Sequence, residues 1–351
     1  MAVSLKDVAA LAGVSAKTVS NVVNHRPHVT ARTRAAVEEA MAELGYRPNL
    51  QARGLRSGRT GLLMLAIPDL TAPYFAELAH LIISTAAEHG FTVLIEETGG
   101  EHEREVRALR GAATLLVDGT IISPLALTAA DLEGKQGAAP IVLLGERLTG
   151  VMADHVAIDN VQAARDATHH LLRRGRRRLA VIGHQDDPHA ATAQLRMRGV
   201  TEALATSSDA TLLPPVAVSG YTWAEGAAAV DVYLGRDPLP DALVCFNDEL
   251  AIAAMRRAYE LGCRVPDDLA VVGIDGVRES EFVTPTLTTI TPDKAELARS
   301  ALASLARRIG RADPPPVRDV VVPHRLVVRE STAAPPSRDP GATISGRRRG
   351  R

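Results

Sequence analysis

Ala16, Lys17, Ser20 and Asn21 fall within two turns of one predicted helix, and their side chains suit the edges of base pairs. An asparagine amide can pair with both polar atoms of adenine, and a lysine ammonium can reach the acceptors of guanine. An alanine can at most touch a thymine methyl. A second set of candidates sits where apolar runs end: Asp69, Glu146, His184, Asn247 with Asp248, and Asp275. If those runs are parallel strands, their carboxyl ends converge on a ligand site. Other chemistry finds little support. There is no Walker A loop, G-x-S-x-G, H-E-x-x-H, or G-x-G-x-x-G after a strand. "HQDDPH" at 184–189 holds two His and two Asp, but a loop rich in Asp and Pro reads as a solvated turn rather than a metal site. His169 and His170 are adjacent on a predicted helix and cannot share a face as i,i+4 ligands do, so they are expected at the surface. Cys245 lies mid-strand and reads as a small buried residue. No nucleophile, base and orienting group come together, so neither an enzyme nor a cofactor is expected.

The candidate base-reading helix needs a partner to hold it. Leu5, Val8, Ala9 and Leu11 form the apolar face of a preceding helix, and Gly13 can adopt the positive φ needed to leave it. Val14 can plug the gap between the helices, and Ser15 stands where an N-cap belongs. Val19, Val22 and Val23 then face inward. A third helix is predicted from Thr30, its cap, to Leu44, with Val37, Ala40, Met41 and Leu44 as its stripe and Gly45 at its end. Next, "YRPNLQARGLRSGRTG" predicts a short helix from Pro48 to Ser57, weakened by Gly54 and marginal alone. Leu55, flanked by Arg53 and Arg56, could wedge into a minor groove or pack on the body of the protein.

The bulk figures fit this reading. Residues 1–60 carry nine Lys and Arg against four Asp and Glu, so a head of +5 sits on a remainder of −6. A basic head on a mildly acidic body suits a polyanionic partner. At 351 residues, 46% of them hydrophobic and 23% charged, the chain has the material for more than one globular domain. Two cysteines, no secretory leader pattern and no apolar stretch long enough to span a bilayer lead to the expectation of a cytoplasmic protein.

From Gly61 onward, apolar strands alternate with helical patterns in two runs split near Asp159 and Asn160. That rhythm predicts an α/β body of two doubly wound parallel-sheet subdomains behind an all-α head.

Taken together, "LKDVAALAGVSAKTVSNVVN", "HVTARTRAAVEEAMAELGYRPN" and "LQARGLRSGRTG" resemble the helix pair, third helix and hinge helix of the lactose-repressor (LacI/GalR-type) family. The resemblance continues through "IPDLTAPYFAEL", "VDGTIIS", "AIDN", "LRMRGV", "CFNDELA", "VVGIDG", "TPTLTTI" and "HRLVVREST", covering residues 4 to about 332. It implies a ligand-responsive transcription regulator with a periplasmic-binding-protein-like body. A sugar-binding protein of the periplasmic type would lack the basic head and carry a leader. An α/β enzyme with such a head would need a catalytic constellation.

The resemblance further implies a helix-turn-helix domain at 1–48, a hinge at 49–59 and an effector and dimerisation domain at 60–332. The first subdomain would take 60–159 and 292–319, the second 160–291 and 320–332. The tail, 333–351, is low in apolar residues and is expected to be disordered. The partners implied are double-stranded operator DNA, a small-molecule effector and a second copy of the chain, since the tail lacks the leucine heptads that make tetramers. DNA contact would fall to Ser4, Ala16, Lys17, Thr18, Ser20, Asn21, Asn24, His28, Thr30 and Tyr46. In the hinge it would fall to Asn49, Ala52, Arg53, Leu55 and Arg56. The effector cleft would be lined by Tyr74, Phe75 and Tyr221, with Arg196 as a forked donor and Asp248 as the acceptor for ligand hydroxyls. Glu146, Asp275 and Asp159 join that set, although turn and cap roles would explain Asp275 and Asp159 nearly as well. Where the family often has Asn before "PYF", this chain has Ala72.

Overall fold

The computed structural model describes residues 3–23, 28–46, 59–114, 117–133, 139–146, 148, 151–187, 189–311 and 313–333. The chain divides into two compact units, Met1–Thr60 and Gly61–Arg351.

In the first unit, α1 (Leu5–Leu11), α2 (Ala16–Val23) and α3 (Ala31–Glu43) close around Val8, Ala9, Val19, Val22, Val37 and Ala40. The caps are local hydrogen bonds. Ser4 donates its backbone N–H (2.8 Å) and hydroxyl (2.7 Å) to Asp7 Oδ2, and Ser15 Oγ accepts from Thr18 N (3.1 Å). Thr30 Oγ1 accepts from Thr33 N (3.3 Å), so Thr30 caps α3 from just outside it. Gly13 takes φ 62°, which lets the chain leave α1 and turn straight into α2. One expectation fails here. Leu11 is 45% exposed and does not join the apolar face; Ala12 and Val14, one turn on, pack against the core in its place.

The second unit holds two sheets. The first has strand order β12-β5-β4-β3-β1-β2 and the second β13-β11-β10-β9-β6-β7, with β8 also pairing β6. β1 (Leu62–Ile67), β2 (Thr92–Glu97), β3 (Gly119–Ile122), β4 (Ile141–Leu144), β5 (Asp154–Ile158) and β12 (Asp319–Val322) run parallel. In the second sheet β6 (Arg178–His184), β7 (Thr211–Leu212), β8 (Val216–Ala217), β9 (Ala242–Cys245), β10 (Ala270–Ile274) and β11 (Thr288–Pro292) are parallel, and β13 (His324–Val327) returns antiparallel to β11. The inner strands β1, β3, β4, β5, β6, β9, β10 and β11 are almost wholly buried, which explains why they read as unbroken apolar runs, whereas β2 at the edge is largely exposed.

The chain therefore crosses between subdomains three times, after β5, after β11 and after β12. The third crossing is a correction. Residues 320–322 pair with β5 and so belong to the first subdomain, and the crossing falls at Pro323. The helices that matter below are α4 (Pro73–Glu88), α7 (Asn160–Arg173), α8 (Ala191–Leu204), α10 (Asp248–Glu260) and α11 (Lys294–Ala306), counting α5 (His102–Thr114), α6 (Ala129–Leu132) and α9 (Trp223–Leu234) between them. Helices α7 and α8 pack closely because position 199 is glycine. A Cβ there would stand 2.2 Å from the Val161 carbonyl. Among the described residues no helix is long and apolar enough to cross a membrane.

Candidate functional site

On the head, α2 exposes Ala16 and Lys17 and half-buries Ser20 and Asn21, while Val19 and Val22 anchor its other face. Thr18 is half-buried and its hydroxyl lies 2.9 Å from Ser15 Oγ, so it serves the cap as well as the helix surface. Ser4, His28 and Thr30 are exposed, and Tyr46 packs against the head's core. Asn24, Asn49, Ala52, Arg53, Leu55 and Arg56 lie outside the described residues.

The second site is built at the strand ends between the two subdomains. Arg196, on α8, is 6% exposed. Its Nε donates to Asn160 Oδ1 (2.6 Å), its Nη1 to the Phe246 carbonyl, and its Nη2 lies 3.8 Å from Asp275 Oδ1. Asp275 follows β10 with φ 126°, the one non-glycine residue described with positive φ. Such strain persists where the surroundings over-determine it. Burial pushes the Asp275 carboxyl up to about 6; Arg196 and Lys294 oppose the rise, and Glu77 and Glu146 add to it. From the first subdomain, Glu146 accepts from Thr192 Oγ1 across the cleft (2.9 Å), and burial raises its pKa against the pull of Arg196. Tyr74 and Phe75 meet edge to face at 5.3 Å at the start of α4 and also pack on the first subdomain's core. The phenols of Tyr74 and Tyr221 are both pushed up by burial, and both feel Asp275, Glu146 and Arg196. Six of the expected residues are thus electrostatically or physically joined, with Phe75 behind Tyr74.

Asp248 is placed differently. It is fully buried, Oδ1 accepts from Thr289 Oγ1 (2.6 Å) and Oδ2 from Val277 N (2.9 Å). Burial, with Asp275 beside it, holds its pKa well above the ordinary carboxylate value. Both of its oxygens are thus engaged within the second subdomain, where the sequence led to the expectation of an acceptor for ligand hydroxyls. Asp159 caps α7, accepting from Gln162 N (2.9 Å).

Several participants carried no sequence signal. Asn160 is 2% exposed, and its Nδ2 is buried with no hydrogen-bond partner, as is the Tyr221 hydroxyl. Lys294, 8% exposed at the start of α11, pairs with Glu77 and donates to the Gly276 carbonyl (3.0 Å), with Nζ 5.7 Å from the centre of the Tyr74 ring. Glu77 Oε1 accepts from Arg278 N (2.8 Å). Glu77 and Lys294 of the first subdomain therefore grip the 276–278 loop of the second. Gly276 is obligatory there, because its φ is 59° and a Cβ would stand 2.4 Å from Thr291 Oγ1. Elsewhere, His170 is buried against Thr332 (2.7 Å) and not at the surface, with burial pushing its pKa down to about 4. His184 pairs with Asp186 (3.3 Å), and among the described residues no group of His, Cys, Asp and Glu could hold a metal ion. Cys245 is fully buried, and burial pushes its thiol up.

Residues 4–49 match the model for bacterial regulatory proteins of the lacI family, and residues 168–332 match a periplasmic binding protein-like domain. Catabolite control protein A of Priestia megaterium is 32% identical over 336 residues, 95% of this chain and all of that protein. The chain belongs to the lacI family. Among solved structures of the family, the lac repressor dimer bound to operator and the anti-inducer ONPF matches with a TM-score of 0.79 at 28% identity, over 95% of this chain and 100% of that one. The transcriptional regulator CelR–cellobiose complex matches with a TM-score of 0.67 at 32% identity, over 94% and 99%. As a lacI-family body, the second unit offers carboxylates that accept, a guanidinium that donates, and rings that stack. That combination suits a ligand with hydroxyls around a flat or puckered ring.

Proposed function

We propose that this chain is a transcriptional repressor that works as a homodimer on operator DNA and changes its operator affinity when a small polyhydroxylated ring fills the cleft. A sugar is favoured over a nucleobase. The observation that carries this reading is the convergence of Tyr74 and Glu146 from one subdomain with Arg196, Tyr221 and Asp275 from the other. Beside them Asn160 Nδ2 and the Tyr221 hydroxyl are buried donors without partners, a cost that a ligand oxygen would offset. The match to the CelR–cellobiose complex supports a sugar as the ligand class.

The coupling follows from the grip on the 276–278 loop. Asp275 would meet the ligand, and the next residues are held by Glu77 and Lys294 from the other subdomain. A ligand that draws on Asp275 changes how the two subdomains sit, and in a two-state body that is a change in the preferred state. On the head, Lys17, Asn21 and Ala16 would read bases, with Leu55 of the hinge as a minor-groove wedge. Exposed Tyr259, Phe282, Ile83 and Ile95 provide apolar surface for a second copy. Work on DNA sets the protein in the cytoplasm. The test is fluorescence anisotropy on the region upstream of the chain's own gene, with sugars and nucleosides added singly. One of them should move operator affinity by about tenfold or more. A protein that binds random DNA as tightly as this region would contradict the reading.

A further inference from the structure

Among the described residues, the two buried cations of the cleft are already neutralised. Arg196 is engaged by Asn160, the Phe246 carbonyl and Asp275, and Lys294 by Glu77 and the Gly276 carbonyl. Against these two cations stand Glu77, Glu146 and Asp275, with Asp248 braced behind them. Farther out, Asp69 and Glu279 join Asp275 in raising the pKa of half-buried Glu249 to about 7, behind the burial of Glu249 itself. Two of the helix N-termini at the cleft, the other common anion traps, are occupied as well. Asn247 caps α10, whose first turn carries Asp248 and Glu249, and Asp159 caps α7, whereas α4 and α8 begin without a side-chain cap. The buried polar atoms left without a partner beside them are neutral, Asn160 Nδ2 and the Tyr221 hydroxyl.

We infer that the cleft selects an uncharged hydroxylated ring and rejects its phosphate ester, with Glu77 acting as the specificity residue that keeps Lys294 from serving as an anion hook. This deepens the proposed effector reading and rests on it. Ionised carboxylates only accept, so ligand hydroxyls meet them as donors. A phosphate dianion brought to the same place meets these carboxylates and finds neither Arg196 nor Lys294 uncommitted. Its lost hydration goes uncompensated, and repulsion in a part-buried cleft is screened less than in water.

The experiment is calorimetric titration of the full chain with matched probes: ribose, glucose and adenosine, each beside its monophosphate, and inorganic phosphate alone. Wild type is compared with Glu77→Gln, which frees Lys294, and with Arg196→Ala. Whichever parent binds, its phosphate ester should bind at least about tenfold more weakly, and that gap should narrow in Glu77→Gln. Inorganic phosphate will meet the basic head in every variant, so only differences between variants report the cleft. It should bind wild type and Arg196→Ala alike, and Glu77→Gln more tightly. An ester that binds as well as its parent would overturn the inference, as would phosphate binding in wild type that Arg196→Ala removes. If no parent binds, the phosphate comparison alone decides it. Failure of the effector reading has its own signature: a parent sugar whose affinity neither Arg196→Ala nor Asp275→Asn changes.

Discussion

Asn21 and Asp275 carry the sharpest expectations at the residue scale. Asn21→Ala should lower the preference for operator over random DNA by about 1–3 kcal/mol, the worth of a bidentate base contact, and leave random-DNA binding nearly intact. Competition binding checks it; equal losses on both DNAs would assign Asn21 to phosphate. Asp275 makes stability depend on pH. Its folded pKa of about 6 lies above the ordinary aspartate value of 3.8, so between pH 4 and 6 the folded state binds more protons than the unfolded one. Stability contributed by this group is therefore gained as pH falls through that window and absent above it. From pH 7 to 5, wild type should gain about 1 kcal/mol relative to Asp275→Asn in urea melts at the two pH values. Glu249, at about 7, adds to wild type in the same direction, and Asp275→Asn keeps the part of that share owed to burial, Asp69 and Glu279. Arg196 was legible in "LRMRGV", and so was Asp275, yet the fate of Asp248 was not. An acid at a strand end reads as facing the cleft, and nothing local reveals that Thr289 and Val277, far along the chain, already hold its oxygens.

At the scale of elements, the packing of α7 on α8 and the grip on the 276–278 loop position the cleft. Gly199→Ala would drive a methyl into the Val161 carbonyl and the first turns of α7, where Asn160 meets Arg196. The loss should be about 1–3 kcal/mol in thermal or urea unfolding, with effector affinity falling alongside it. Lys294→Met removes a buried ammonium that holds Gly276 and Glu77, leaving the hydrogen bond from Arg278 N to Glu77 to tie the loop to the first subdomain. Operator binding without effector should persist while the response to effector weakens; an unchanged response in anisotropy would leave the pair a mere stabiliser. Alternating strands and helices were readable because the inner parallel strands are buried on both faces. Lys294 and Glu77 were not, since a lysine opening a helix and a glutamate within one read as solvated surface until the subdomains are brought together. Leu11 misled for a related reason: its spacing fits the apolar face, but α1 ends there, and the turn supplies Ala12 and Val14 instead.

For the whole molecule, the central claim is that one chain joins a DNA-reading head to a cleft whose occupancy sets operator affinity. Arg196→Ala is a poor probe by itself, because it strips a 6%-exposed cation from Asn160, the Phe246 carbonyl and Asp275 and should cost about 3 kcal/mol of stability. Asp275→Asn is nearly isosteric and, by removing a buried charge, should leave the fold at least as stable at neutral pH. The decisive measurement is therefore operator affinity against effector concentration, by anisotropy, for wild type and Asp275→Asn. Wild type should shift by about tenfold or more, and Asp275→Asn should bind operator with the wild-type affinity but need at least about tenfold more effector to respond. An Asp275→Asn protein that responds at the wild-type effector concentration would contradict the account.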